Sequence, residues 1–228
     1  MIPERWFHLQ PSNFRLLHSP RFGYHKIDQR RIQSPMKNAL LPLALLAFST
    51  LALAQDPALL RPPKGAQVAI IVFEDLQCPQ CRREAPMVAN AGKTYKIPVI
   101  RHDFPLPMHN WSFNAAVIAR YFDTHSKELG NQFRDYIFQH QPEINPDNLQ
   151  GFAARFAADH KVDLPFVVDP QGKFAALVRE DKDLGVRVGI QHTPTIYVVS
   201  GKPGAKPFVE VQNPDTELYT LIEATKNE

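Results

Sequence analysis

Cys78-Pro79-Gln80-Cys81 holds the only two cysteines of a 228-residue chain. With two residues between them they stand at i and i+3, one helical turn apart, where a Cα separation of about 5–5.5 Å lies within the range a disulfide tolerates. A bond there can open and close with little backbone movement. Pro79 suits the first helical position, where its fixed φ helps and its missing N–H costs nothing, which makes Cys78 the cap residue. The Cys78 sulfur would then face unpaired amides and the positive end of the helix dipole, which favour the thiolate. Cys81, a turn inside, is expected to be held at a higher pKa by burial. The chemistry this allows is thiol–disulfide exchange, with Cys78 as attacking and leaving sulfur and Cys81 as the resolving one. Two other uses of the pair stay open. A static disulfide would close a four-residue loop and stabilise the fold only weakly. A metal site completed by His102, His109 or His192 would need histidines paired at helical or hairpin spacing, and none of the three has such a partner. No metal or bound cofactor is expected, the redox group being the Cys78–Cys81 disulfide itself.

The elements around the pair follow from hydrophobic periodicity. Residues 68–73, Val-Ala-Ile-Ile-Val-Phe, form a continuous apolar run suited to a strand covered on both faces. The helix opened by Cys78-Pro79 runs to about Tyr95, and Pro86 should kink it. Residues 98–104 make a second strand, β-branched at its start. From there to about Val188 the pattern is helical: Trp111, Ala115, Ile118 and Phe122 form one stripe; Leu129, Phe133, Tyr136 and Ile137 a second; Leu149, Phe152, Phe156 and Ala157 a third; and Phe174, Leu177, Val178 and Leu184 a weaker fourth. Asn145-Pro146, Asp169-Pro170 and Asn213-Pro214 each predict a capped helix start. Residues 195–199 are a third strand, and 208–211 alternate as an edge hairpin would. A last helix runs from Pro214 to about Lys226. The order is β-α-β, about four helices, then β-β-α, an α/β sheet with a helical insertion at about 108–188.

Composition narrows the function classes. At 44% hydrophobic and 21% charged the chain is ordinary globular protein. Its formal charge of +3 arises at the N-terminus, since residues 1–54 hold seven of the 26 basic and two of the 23 acidic side chains. The remainder carries 19 against 21, or −2, so no nucleic-acid partner is implied. Met36-Lys37-Asn38, the apolar run 39–54 and the closing Ala52-Leu53-Ala54 have the form of an export signal over 36–54, with cleavage expected after Ala54; an uncleaved anchor is the other reading. Residues 1–35 are read as an over-long gene assignment or a disordered leader. Residues 55–66 are a linker and 67–228 the folded domain, expected to be a monomer outside the cytoplasm.

The stretch Phe73-Glu74-Asp75-Leu76-Gln77-Cys78-Pro79-Gln80-Cys81 resembles the active site of the thioredoxin superfamily, in the version with proline directly after the first cysteine that marks DsbA-like thiol oxidoreductases. Pro86, Phe104-Pro105-Leu106 and Thr193-Pro194 are similar to that group's helix proline, its Phe-Pro-Leu after the second strand and its cis-proline. The resemblance implies a thioredoxin-like fold with a helical insertion between the second strand and the cis-proline strand. It also implies that Thr193 and Pro194 bind an extended substrate. The implied partners are unfolded or folding cysteine-containing exported proteins, together with a membrane redox partner that restores the disulfide. Disulfide reduction or isomerisation is the alternative direction, and a metal carrier using the two thiolates a rival of another class. Two departures stand out. Many members bury an acid six residues before the first cysteine, where this chain has Val72. Glu74 and Asp75 are the nearest acids for proton transfer, and are as readily read as solvated or as stabilising the helix start. Gln80 replaces the histidine of strongly oxidising members, so a milder oxidant is expected.

Overall fold

The computed structural model describes residues 59–228. The expectations placed on 1–35, on the signal 36–54 and on the first four residues of the linker lie outside the described residues. Among the described residues no helix is long and apolar enough to cross a membrane.

Strand β1 (Val68–Glu74) leads into helix α1 (Pro79–Tyr95), and strand β2 (Val99–Asp103) follows. Helices α2 (Ser112–His125), α3 (Lys127–His140), α4 (Leu149–Asp159) and α5 (Lys173–Val188) make the insertion, with a short 3-10 helix, Gln141–Glu143, after α3. The chain returns through β3 (Thr195–Ser200) and β4 (Phe208–Glu210) to α6 (Pro214–Asn227). The sheet order is β2-β1-β3-β4, with β1 parallel to β2 and antiparallel to β3.

Every residue of β1 is buried, as its unbroken apolar run requires. Side chains alternate across the sheet. Val68, Ile70 and Val72 pack with Val88 and Ala91 of α1 and with Leu218 and Ile222 of α6. Ala69, Ile71 and Phe73 meet Phe104, Val188 and Ile190 on the other face. A third cluster fills the insertion around Phe122, Phe133, Ile137, Phe152 and Phe156, and it reaches across to Leu76, Cys78 and Cys81. The redox pair thus stands at the seam between sheet and insertion.

That seam is charged as well as apolar. The Arg134 side chain is 2% exposed and bridges Asp103 Oδ2 at 3.2 Å and Asp123 Oδ1 at 3.0 Å. Arg120 Nε reaches Asp103 Oδ2 at 2.6 Å, and its far end holds Asp181. Burial opposes the charged form of Asp103, but the Arg134 and Arg120 guanidinium groups outweigh it and hold that carboxyl below the usual range.

Two helix starts differ from expectation. The Asn145 side chain does accept from Asp147 N and Asn148 N, but it closes a turn, and regular helix begins at Leu149. Asp169 is likewise followed by a turn, with Gly172 at φ 69, and α5 begins at Lys173. The Asp169 carboxylate still accepts from Ala175 N at 2.8 Å, so the cap acts from outside the helix. Only Asn213-Pro214 marks its helix start directly. Leu177, counted in the fourth stripe, is 41% exposed, because the inner face of α5 runs through Val178, Gly185 and Val188. At Gly185 a Cβ would stand 2.5 Å from the Phe104 ring, so this helix crosses the sheet at a distance only glycine allows.

Candidate active site

Cys78 caps α1 in extended geometry, φ −75 and ψ 120, with Pro79 at the first helical position. Both cysteines are free thiols. Cys78 is 7% exposed and Cys81 2%, so the outer sulfur is the more accessible. The Cys78 thiol donates to the Thr193 carbonyl at 3.3 Å, across the cis Thr193–Pro194 peptide bond's loop. As a thiol it makes no side-chain capping bond. Its pKa is nevertheless lowered to about 5, first by the Cys81 thiol beside it and then, against the cost of burial, by the Thr193 side chain and the N–H groups of Cys81 and Gln80. The Thr193 hydroxyl is buried without a partner in the dithiol. Cys81 is pushed far the other way, chiefly by burial and then by the neighbouring Cys78, while Asp75 N donates to its sulfur at 3.4 Å.

Glu74 and Asp75 are not solvated. Asp75 is 1% exposed and its carboxylate accepts from four groups: Gln77 N at 2.7 Å, Leu106 N at 2.6 Å, His109 Nδ1 at 2.7 Å and the Ser112 hydroxyl. It knots the strand–helix turn to the Phe104-Pro105-Leu106 segment and to α2, and all its lone pairs are engaged. Glu74 is 4% exposed and lies on the same face of β1 as Val72, two residues nearer the cysteines. Its Oε1 accepts from Arg101 Nε at 2.7 Å. Burial raises the Glu74 pKa despite that partner. Glu74, Val72, Arg101, Asp135, Glu84, Pro194 and Cys81 all line one cavity of about 310 Å³. A buried acid therefore lies on the same face of β1 as Val72, two residues further along the strand.

Gln80 donates to Glu84 one turn below. The histidines weighed as metal ligands are engaged elsewhere: His102 with Asp181, His109 with Asp75, and His192 Nδ1 near Pro194 O. Among the described residues no group of three or more His, Cys, Asp or Glu side chains is arranged to hold a metal ion. The sequence reading missed Gln141, Trp111, Asn110 and Arg101 as neighbours of the site. Arg101 alone had a signal, since parallel pairing of β1 and β2 places it opposite Val72.

A low-pKa cysteine at a helix mouth, a buried partner one turn on, and a cis-proline loop facing them define a thioredoxin-superfamily dithiol site, and the four helices between β2 and β3 make the fold DsbA-like. A comparison with known families agrees: the thioredoxin family matches residues 63–207, more than half of the chain, which belongs to that family. Among curated proteins it is similar to the Na(+)/H(+) antiporter NhaA 1 of Salinispora arenicola, with 27% identity over 145 residues, covering 60% of this chain and 21% of that protein. The chain spans about a fifth of the length of such curated relatives. Among solved structures it resembles alpha-DsbA1 of Wolbachia pipientis, with 19% identity and a TM-score of 0.59 over 75% of this chain and 94% of that one. It also resembles a periplasmic thioredoxin-like protein from Salmonella enterica serovar Typhimurium, with 21% identity and a TM-score of 0.57 over 77% and 94%. Both structural likenesses are of fold.

Proposed function

We infer that the chain is a thiol–disulfide oxidoreductase exported from the cytoplasm, which passes its Cys78–Cys81 disulfide to cysteine pairs in folding proteins. The observation that carries this reading is the placement of the pair: Cys78 at the mouth of α1 with its thiol on the Thr193 carbonyl at 3.3 Å before the cis Pro194, and Cys81 one turn inside and 2% exposed; the Cys78 pKa is lowered and that of Cys81 raised accordingly. A substrate thiolate attacks the Cys78 sulfur of the disulfide, the S–S bond breaks, and Cys81 leaves and takes up a proton. A second substrate thiolate then attacks the substrate sulfur of the mixed disulfide. Cys78 departs as a thiolate, readily because that anion is stabilised. Two electrons have moved from substrate to enzyme, and a membrane redox partner would remove them. Glu74, which lines the same cavity as Cys81, serves as the proton donor and acceptor for it. Thr193 and Pro194 offer backbone to an extended substrate, which then lies against Cys78.

The reductive or isomerising direction draws support from Gln80, whose amide is tied to Glu84 and adds no positive charge near Cys78. The test is the equilibrium of the purified protein with glutathione, combined with refolding of a reduced, disulfide-containing protein by wild type and by Cys78→Ser. A potential on the oxidising side with activity lost in Cys78→Ser supports the oxidase. A strongly reducing potential reverses the direction, and stoichiometric zinc or copper on the reduced protein with no exchange would make it a carrier.

A further inference from the structure

The 3-10 helix after α3 sends one side chain out of the insertion into the turn that carries the redox pair. Gln141 is 8% exposed, and its Nε2 donates to Leu76 O at 2.8 Å and to Cys78 O at 3.1 Å. These carbonyls flank Gln77, so a single primary amide, with two donors in a fixed fork, sets one relative to the other. Few other groups could do so. Pro79 has no N–H, and Cys78 makes no side-chain capping bond. The Cys78 carbonyl otherwise receives only the first helical bond, from Arg82 N at 3.2 Å. The insertion grips the turn from a second side too, where Trp111 N donates to Gln77 Oε1 at 2.9 Å.

We propose that Gln141 is a positioning residue for the redox pair: by pinning the Leu76 and Cys78 carbonyls it fixes the strand–helix turn, and with it the first turn of α1, against the Cys78 sulfur, so that the helical insertion tunes the reactivity of a thiol it does not carry. The proposal rests on the reading of the pair as an exchange site. Losing the amide takes a donor from the Leu76 carbonyl and leaves the Cys78 carbonyl with Arg82 N alone, and so frees the first turn of α1 to shift beneath the sulfur. The sulfur anion, present only in the reduced form, then loses stabilisation that the oxidised form never had.

Gln141→Leu tests this, with the Cys78 thiolate titrated by ultraviolet absorbance, the glutathione equilibrium constant measured, and melting followed in both redox forms. The expected result is a Cys78 pKa raised by about half to one unit, an equilibrium constant shifted about three- to ten-fold toward the disulfide, and a larger loss of melting temperature in the reduced form. Equal losses in both forms with the titration and equilibrium unmoved would reduce Gln141 to a structural role and overturn the proposal. If Gln141→Leu does not fold, Gln141→Asn gives the same readout, since it keeps the amide but draws it one methylene short of both carbonyls. A wild type that shows an ordinary Cys78 pKa and no exchange with glutathione would defeat the functional reading itself, an outcome distinct from an active wild type with an indifferent Gln141 variant.

Discussion

Acidification should weaken the reduced protein by a calculable amount. The folded Cys78 pKa is about 5 against an ordinary value of 9.0. A folded pKa below the unfolded one contributes stability that is fully present above the unfolded value and is lost as pH falls through the folded value. Two units separate pH 7 from the folded pKa, so the thiolate contributes about 2.7 kcal/mol at that pH and about 0.4 kcal/mol at pH 5. Other groups titrate over the same interval, the carboxylates of the seam among them. The quantity to measure is therefore the difference between wild type and Cys78→Ser, both reduced, in urea unfolding at the two pH values. That difference should shrink by about 2 kcal/mol on going from pH 7 to pH 5, or roughly 4–8 °C if followed by melting. The oxidised wild type, which has no thiol to ionise, should show no such extra loss. A difference that stays constant with pH, or a thiolate absorbance that titrates near 9, would refute the assignment of Cys78 as the stabilised anion.

Replacing Cys81 by alanine removes the largest cause of the Cys78 shift, so Cys78 should titrate about one to two units higher, and mixed disulfides with substrate should accumulate for want of a resolving thiol; mass spectrometry and absorbance check the two effects. Arg134→Met should destabilise the fold by about 3–5 kcal/mol in denaturant unfolding, because Asp103 and Asp123 lose a buried partner and remain charged. Gly185→Ala drives a methyl group into the Phe104 ring and should cost about 1–3 kcal/mol of unfolding free energy.

The sequence was most informative where structure is local. The apolar run of β1, the proline after Cys78 and the spacing to Cys81 are short-range patterns, and β1 and the start of α1 stand where they placed them. Asn145 and Asp169 show the limit of that reasoning: both use their side chains as caps, yet a turn separates each from the helix proper. The surroundings of the cysteines were less legible because they are assembled from afar. Asp75 looked like a surface acid beside a helix, and became a buried acceptor only because Leu106, His109 and Ser112, more than 30 residues on, converge upon it. Glu74 was named with Asp75 as a nearest acid, but the period of two along β1, which puts it on the same face as Val72, was not used to separate the two. Gln141 carries no periodic or motif signal at all. Its role appears only when α3 ends beside the strand–helix turn.

The buried lattice of Asp103, Arg120, Arg134, Asp123 and Asp181 has a bearing on how such folds can be recombined. A greasy joint accepts a foreign module of similar shape, but this joint demands matched donors and acceptors at five fixed points drawn from a strand and three helices. A chimera that grafts another protein's helical block onto this sheet would strand Asp103 without its cations. The two halves are therefore constrained to diverge in concert.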